Sequence, residues 1–414
     1  MTPSAKRLVI VASAFVLAFV ASHTANALPQ FARKYKLDCS GCHDALAFPR
    51  LNDIGYKFRR SGFRMPENIG KEELADYTLD NYFSAAIRAD NTTTRTRAAD
   101  STDRLNTFSG ELSLYALTGS FEKYFASETE LGIAPGGGLE VENAYVRAVW
   151  GNQDLWLTSR AGVFHAIEGL GGSDRSLGPS RPLIFEVAPN DNQDTLLRIP
   201  EVDRIGVDVG VQWHASSFSV EIVNRARPEI SEDGVSASAA SADARSGKDL
   251  IVVVNQILGA RSGLSAYWAH GAITLPVNPA MPAVFAAGTS ADTFDDRYDK
   301  VAVFASGGTG TLLGLVGAQL GLDHALDPVS ETKSRFSSIG GFVEGNLAIS
   351  AHCVAYLRLD VFDPSTKASG DQILGGALGV LAYQSAVSIV PELTLRRTND
   401  ESAAGLVVRA RVIY

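Results

Sequence analysis

Five residues near the N-terminus carry the clearest chemistry in this sequence: Cys39-Ser40-Gly41-Cys42-His43. A Cys-x-x-Cys-His motif is the attachment site of a c-type haem. Its two thiols add to the haem vinyl groups, and the histidine binds the iron as the proximal ligand. We therefore predict one covalent haem c held by Cys39 and Cys42, with His43 on the iron and electron transfer as the function.

Two other kinds of site use a similar cysteine spacing. A zinc site needs a second pair of Cys or His ligands at a comparable spacing, and the sequence offers none. A thioredoxin-like redox pair needs a βαβ context, whereas the residues that follow are helical and then all-β in pattern. The third cysteine of the chain, Cys353, is left without a disulfide partner once the first two bind haem. The haem interpretation is therefore favoured over both.

Several residues could occupy the second axial position on the iron. Met65 is the first candidate, because it follows the helix predicted after the motif and its thioether is a soft ligand that raises the haem potential. A core-filling role is the alternative for Met65. His214, His352 and an open or water-bound position are the other possibilities for the iron. Three further histidines lie at predicted loop ends and are interpreted as surface residues: His165, His270 and His324.

The motif lies between two short predicted elements. Residues 1–27 have the basic start, apolar run and small-x-small end of a secretory signal peptide, which agrees with haem attachment outside the cytoplasm. One helix is predicted over Pro49–Gly62 and a further turn or two over Lys71–Leu79. The cytochrome segment, residues 28–80, is too small to form a stable hydrophobic core of its own. It must be stabilised by packing on its haem, on the following domain, or on both.

The chain changes character from residue 81 onward. Residues 81–414 contain about sixteen runs of roughly ten residues with alternating polarity, the length and period of membrane-spanning β-strands. In the run 204–214, apolar residues alternate with Arg204, Asp208 and Gln212, and charge in mid-strand suits a wet lumen better than a sandwich core. Short turns alternate with longer polar loops, such as the predicted loop over 91–105. We predict an outer-membrane antiparallel β-barrel of about 16 strands, preceded by the small helical haem segment.

Charge and aromatic residues agree with this assignment. The net charge is −9, and no basic patch interleaved with aromatic residues indicates nucleic acid as a partner. Trp150, Trp156 and Trp213 lie near strand ends, where an aromatic girdle would meet the membrane interface. Basic residues of the N-terminal segment, Arg59 and Arg60 among them, could neutralise haem propionates or face lumen acids. Acidic residues of the outer loops could attract Fe²⁺ or form an ordinary solvated surface: Glu229, Glu232, Asp233, Asp292, Asp295 and Asp296.

The residues around the motif resemble one known family. The match includes the motif itself and the stretches Leu28–Arg33, Phe48–Gly55 and Phe58–Phe63, which are similar to the N-terminus of fused monohaem cytochrome–porins. The best-known members are outer-membrane iron oxidases of iron-oxidising bacteria. The barrel matches in architecture and strand number only. The resemblance implies that the cytochrome segment tucks into the barrel mouth or lumen, and that electrons cross the outer membrane without a separate porin.

We therefore expect an exported outer-membrane protein that moves electrons between an extracellular donor, Fe(II) first among them, and periplasmic cytochromes. One haem cannot span the membrane, so a soluble periplasmic c-type cytochrome or another carrier must approach from the inner side. Outer-membrane lipid is the expected surrounding. Two other functions stay open: electron export to an extracellular acceptor, and a porin with an accessory haem domain. An Fe(II) oxidase activity is thus one of several outcomes.

Overall fold

Alternating side chains build the wall of this protein, as the sequence predicts. In the computed structural model the strand Asp203–Trp213 exposes Val207 and Val209 on one face and buries Arg204 and Asp208 on the other. Successive side chains of a strand point to opposite faces, so a period of two gives a wall with one apolar and one polar side. The structure describes residues 29–71, 81–133, 138–165, 167–168, 178–186, 203–224, 227–231, 234–238, 247–276, 293–323, 335–367, 372–384 and 387–413.

Nineteen strands are found in the described part of the chain. In chain order they are β1 (Phe83–Ala98), β2 (Thr102–Ala116), β3 (Gly119–Phe121), β4 (Phe125–Ile133), β5 (Leu139–Gly151), β6 (Leu155–His165), β7 (Asp203–Trp213), β8 (Ser216–Asn224), β9 (Arg227–Ser231), β10 (Gly234–Ser238), β11 (Lys248–Gly259), β12 (Ser262–Pro276), β13 (Thr293–Thr309), β14 (Leu312–Asp323), β15 (Phe336–Ser350), β16 (Cys353–Asp363), β17 (Ile373–Gln384), β18 (Val387–Arg397) and β19 (Glu401–Ile413).

These strands form a closed antiparallel barrel. The short strand β3 continues β2 along β4, so the two count as one strand of the wall. Strands β9 and β10 form a separate hairpin outside the wall. The described wall therefore has sixteen strands. The wall closes where β19 pairs with β1, from Ala86↔Ile413 to Ala98↔Glu401. The prediction of an antiparallel barrel of about 16 strands is confirmed. Because the number of wall strands is even, the first strand starts and the last strand finishes at the same end of the barrel, where the short turns lie.

The predicted alternation of short and long connections needs two corrections. The connection of β18 to β19, predicted as a longer loop over 398–402, has only three residues, 398–400. Short turns join β5 to β6, β7 to β8, β11 to β12, β13 to β14 and β15 to β16. The stretch 91–105, predicted as a loop, is instead the extended ends of β1 and β2, which pair as far as Arg97↔Thr102. Its threonines have the branched side chains that favour strands, so the polar composition misled the prediction.

The outer surface of the barrel suits a lipid bilayer. On β16, Leu357, Leu359 and Val361 face outward, and the closed wall leaves no open strand edge. Trp150 and Trp213 are also exposed beside short turns, as a girdle requires. The girdle prediction is wrong for Trp156, which is buried inside the barrel.

The N-terminal segment holds two short helices, α1 (Pro29–Tyr35) and α2 (Asp53–Arg60), with 3-10 turns at Cys39–Gly41 and Pro66–Asn68. Helix α2 begins at Asp53 instead of Pro49, because the side chain of Asn52 caps it by accepting from the Gly55 N–H at 2.8 Å. It ends at Arg60, two residues before the predicted stop at Gly62, whose φ of +74° favours glycine just beyond the helix. Residues 1–27 and the helical turns predicted after Lys71 lie outside the described residues. No described helix is long and apolar enough to cross a membrane.

The lumen is filled from both ends. Residues 29–71 pack among barrel residues near the short turns, where Ile69 meets Val149 and Trp156. From the opposite end, the loop after β6 turns inward, and its helix α3 (Leu183–Glu186) stacks Phe185 on Phe304 with ring centroids 5.6 Å apart. The lumen therefore holds a large apolar cluster beside its buried charges, where the sequence predicted a wet interior.

Candidate functional site

The Cys-x-x-Cys-His motif is locked against the start of α2. The Asn52 N–H donates to the Cys42 carbonyl oxygen at 2.9 Å. The Asn52 side-chain amide reaches the carbonyl oxygens of Ser40, Gly41 and His43 at 3.2, 3.3 and 3.4 Å. One asparagine thus caps the helix and holds the motif loop at the same time.

Gly55 permits this close approach. A Cβ atom added to Gly55 would lie 2.0 Å from the Cys42 carbonyl oxygen, which is far inside van der Waals contact. The stretch that carries the family resemblance is therefore one local unit, in which helix and motif loop share a backbone contact.

The ring of His43 has a defined orientation. Its Nδ1 atom lies 2.7 Å from the carbonyl oxygen of Pro49, so Nδ1 carries the proton and donates. The other ring nitrogen, Nε2, is then the one with a lone pair for a metal ion. The ring also packs on Phe48 at 5.0 Å, and Phe48 stacks on Tyr383 of β17 at 6.0 Å. Both the segment and the barrel wall position this histidine.

Cys42 and His43 line a cavity of about 510 Å³ between the N-terminal segment and the barrel. This volume lies in the range of roughly 300–1,000 Å³ that small-molecule and cofactor sites occupy. One wall is apolar, because the rings of Phe31 and Phe63 stack at 5.1 Å and Phe58 meets Phe31 edge-on at 5.1 Å. The barrel supplies polar residues to the lining: Arg88, Glu128, Glu142, His165, Arg409 and Arg411.

The residues present fit a c-type haem. Cys42 supplies a thiol and His43 an oriented imidazole on one cavity wall, while the aromatic side suits a flat apolar macrocycle. The arginines of the lining have the chemistry to bind carboxylates of propionate type. Cys39 begins the 3-10 turn beside them, and its side chain lies outside what the structure describes. A bound haem would supply a one-electron redox couple at this place.

The other residues considered for the iron lie in three different places. Met65 packs with the cluster of Phe58 and Phe63 and does not belong to the described lining of the cavity, so its role as a ligand stays a prediction. His214 is 62% exposed in the β7–β8 turn, beside Asp154. His352 is exposed in the β15–β16 turn.

A buried ion cluster ties the segment to the barrel. Glu168, from the inward loop after β6, lies 2.7 Å from Arg147 and 3.1 Å from Arg160 of the wall. It also lies 3.4 Å from Arg59 and 3.7 Å from Arg60 of the segment. Burial alone would raise the pKa of Glu168, but these four arginines hold it well below its ordinary value. Of the two roles expected for Arg59 and Arg60, facing lumen acids is the one observed.

Further hydrogen bonds hold the N-terminal segment against the barrel. The Tyr56 hydroxyl lies 2.8 Å from Ser217 Oγ and accepts from the Asn255 amide at 2.8 Å. Arg50, which precedes α2, donates to Ser306 Oγ at 2.6 Å. The segment is thus bonded to β8, β11 and β13, which lie within four neighbouring strands of the barrel.

Sequence reasoning missed two residues of this region. His165 was interpreted as a surface residue, and it lines the cavity with His43. Glu168 drew no attention, although it lies at the centre of the ion cluster. Both lie at or beyond the end of β6, where the sequence has no period that would indicate a fold back into the lumen.

Comparison with known proteins supports the fold. An anion-selective porin from Comamonas acidovorans matches with a TM-score of 0.55 at 10% identity, over 80% of this chain and 98% of that one. OmpF of Salmonella typhi, solved in complex with daunomycin, matches with a TM-score of 0.52 at 9% identity, over 80% and 97%. No protein-family model and no curated protein matches the chain. The chain therefore has the β-barrel fold of outer-membrane porins.

Proposed function

We propose that this chain is an outer-membrane electron-transfer protein. One c-type haem, bound by Cys39, Cys42 and His43, would exchange electrons between extracellular Fe(II) and a periplasmic cytochrome. The observation that carries the proposal is the placement of Cys42 and His43 together on a cavity of about 510 Å³, with Nε2 of His43 left as the ring nitrogen that can bind a metal. An ordinary porin has no need for such a motif at the mouth of its lumen.

The chain's own residues have three tasks in this proposal. Pro49 fixes the tautomer and direction of His43 through its carbonyl oxygen. The stacked rings of Phe31 and Phe63 exclude water from one face of the cavity. Three barrel arginines, Arg88, Arg409 and Arg411, line the same cavity, and Arg409 is fixed in place by two bonds to Asp90 at 2.8 and 2.9 Å.

Fe(II) as the donor rests on the family resemblance and on the topology. A barrel wall keeps an insoluble ferric product outside the cell, while a seated segment at the short-turn end faces the periplasmic carriers. The acidic side chains of the outer loops lie outside the described residues and add nothing to this choice. Export of electrons to an extracellular acceptor uses the same parts in the opposite direction.

A diffusion porin with an accessory haem segment is the second candidate, because the barrel has the porin fold. Two groups of contacts that fill the lumen argue against an open channel. The N-terminal segment is bound to Glu168, and Phe185 packs on Phe304 inside the barrel. Conductance of the purified protein in planar bilayers distinguishes the two. A closed barrel supports electron transfer, and a steady open channel supports the porin.

Covalent haem is the first thing to test. The full chain is expressed in a host with haem c maturation, purified in detergent, denatured, and examined by the pyridine haemochrome spectrum. Cys42→Ser should change the spectrum from that of two thioether bonds to that of one, whereas the matched control Cys353→Ser should not. A wild-type protein without covalent haem would contradict the proposal.

Fe(II) is then added without oxygen to the oxidised holoprotein while the haem spectrum is recorded. Rapid appearance of the reduced bands, with Fe²⁺ oxidised to Fe³⁺, is the expected result. If dithionite reduces the haem and Fe²⁺ does not, the iron donor is wrong, and electron export becomes the working function.

A further inference from the structure

The cavity that Cys42 and His43 line is shared with one barrel histidine, His165. His165 is the last residue of β6, at the end away from the short turns. Its neighbour strand β5 pairs with β6 only as far as Ala144↔Val163, while β7 continues to His165↔Asp203. Beyond Val163, β6 therefore has no strand paired on its β5 side, and His165 stands among the residues that line the cavity.

The other described histidines are elsewhere. The side chain of His214 is 62% exposed, and that of His270 is 52% exposed beside Asp299 at 3.0 Å. His352 lies in an exposed turn against Tyr383. Among the histidines that the structure describes, only His165 shares the cavity with His43.

The proposed methionine ligand is less well placed. Met65 precedes the 3-10 turn Pro66–Asn68 and packs with the cluster of Phe58 and Phe63. Phe58 and Phe63 belong to the described lining of the cavity, whereas Met65 does not. The ring of Phe63 is also stacked on Phe31.

From this arrangement we infer that His165 is the second axial ligand of the haem iron. The inference rests on the proposed function, because it requires the haem that the motif would hold. Neutral imidazole is a common ligand of haem iron, and its Nε2 or Nδ1 can bind. Ligation by His43 and His165 joins the N-terminal segment to the barrel wall through a single metal. It also gives a lower potential than a methionine ligand would.

The test uses the full-length holoprotein and begins with the wild type. Electron paramagnetic resonance and near-infrared magnetic circular dichroism of the ferric form distinguish two imidazoles from an imidazole with a thioether. We expect a low-spin signal of the two-imidazole type, without the sulfur charge-transfer band. This measurement needs no variant, so a folding failure cannot obscure it. A thioether signature or a high-spin wild-type iron overturns the inference.

Variants then assign the ligand to a residue. His165→Ala should lose the low-spin signal, regain it when free imidazole is added, and show a raised reduction potential. The matched controls are His270→Ala, a barrel histidine that faces away from the cavity, and Met65→Leu. Both should keep the wild-type signal. Loss of the low-spin signal in Met65→Leu, or its persistence in His165→Ala, overturns the inference.

The two proposals fail in different ways. Haem content is measured on the denatured protein, where axial ligands no longer matter. Protein without covalent haem contradicts the proposed function and this inference with it. Normal covalent haem with an unchanged spectrum in His165→Ala contradicts the ligand assignment alone.

Discussion

The carboxylate of Glu168 lies 2.7 Å from the guanidinium of Arg147, and both are buried inside the barrel. Glu168 comes from an inward loop and Arg147 from β5, while Arg59 and Arg60 approach the same carboxylate from the N-terminal segment. One acidic side chain therefore joins three parts of the chain. Arg147 also donates to the carbonyl oxygen of Arg59 at 2.7 Å, at the end of α2.

Replacing Glu168 should release the segment. In Glu168→Gln, four arginines, three of them buried, lose their shared counter-charge. We expect this loss to weaken the packing of the segment against the barrel by roughly 3–5 kcal/mol. Limited proteolysis of the detergent-solubilised protein should cut the N-terminal segment faster, and bilayer conductance should rise. The matched control is Glu67→Gln, an exposed acid of the same segment. Equal protease resistance in both variants would show that the ion cluster does not hold the segment.

Acid should loosen the segment through the same residue. The pKa of Glu168 is held well below its ordinary value in the folded protein, so its charge stabilises the seated state. This stabilisation is complete above the unfolded pKa, about 4.3, and is lost as the pH falls toward the folded pKa. Conductance should therefore stay low at neutral pH and rise only in strong acid. Glu168→Gln should lack this component, and an identical acid response in both proteins would contradict the assignment.

Adding one methyl group at Gly55 should disturb the motif. The new Cβ atom in Gly55→Ala would meet the Cys42 carbonyl oxygen at 2.0 Å, so helix α2 must move away from the motif loop. Overpacking of this kind costs about 1–3 kcal/mol. We expect a lower yield of covalent haem per barrel, measured by haemochrome against total protein. Gly259→Ala, where an added Cβ meets nothing within 4 Å, is the control and should match the wild type.

Asn52 allows its two roles to be separated. Asn52→Ser keeps a side-chain acceptor for the Gly55 N–H but loses the amide that reaches Ser40 and His43. Asn52→Ala loses the cap as well, at about 1 kcal/mol more. Both variants should broaden the haem spectrum, and Asn52→Ala should in addition lower the melting temperature of the segment. If Asn52→Ser behaves like the wild type, the bonds to the motif loop contribute little.

The wall of the barrel could be predicted from the sequence almost strand by strand. In β16 the outward set Leu357, Leu359 and Val361 and the inward set Arg358 and Asp360 are those that alternation assigns. This works because successive side chains of a strand point to opposite faces, and in a closed barrel one face is the outer surface and the other is the lumen. The errors occur where composition competes with period, as in the threonine-rich ends of β1 and β2.

The local structure around the Cys-x-x-Cys-His motif could also be predicted from the sequence, except for the start of α2. Cys42, His43 and Gly62 lie where spacing alone predicts them, because their roles depend on neighbours only a few residues away. The predicted start of α2 was four residues too early. The helix begins after Asn52, whose side chain caps it, and not at Pro49, which was predicted as the first helical residue.

Trp156, His165 and Glu168 are the residues that sequence alone could not place. The sequence by itself determined a barrel of about sixteen strands and a Cys-x-x-Cys-His segment before it, because both depend on periods and spacings over a few residues. Only the tertiary structure decided that the segment sits inside the wall, that the loop after β6 turns inward, and that His165 meets the cavity of His43. Several of these contacts join residues more than a hundred positions apart, such as Arg59 with Glu168 and Phe185 with Phe304. Their geometry is fixed by barrel closure and by a loop without periodicity, so no local pattern records them.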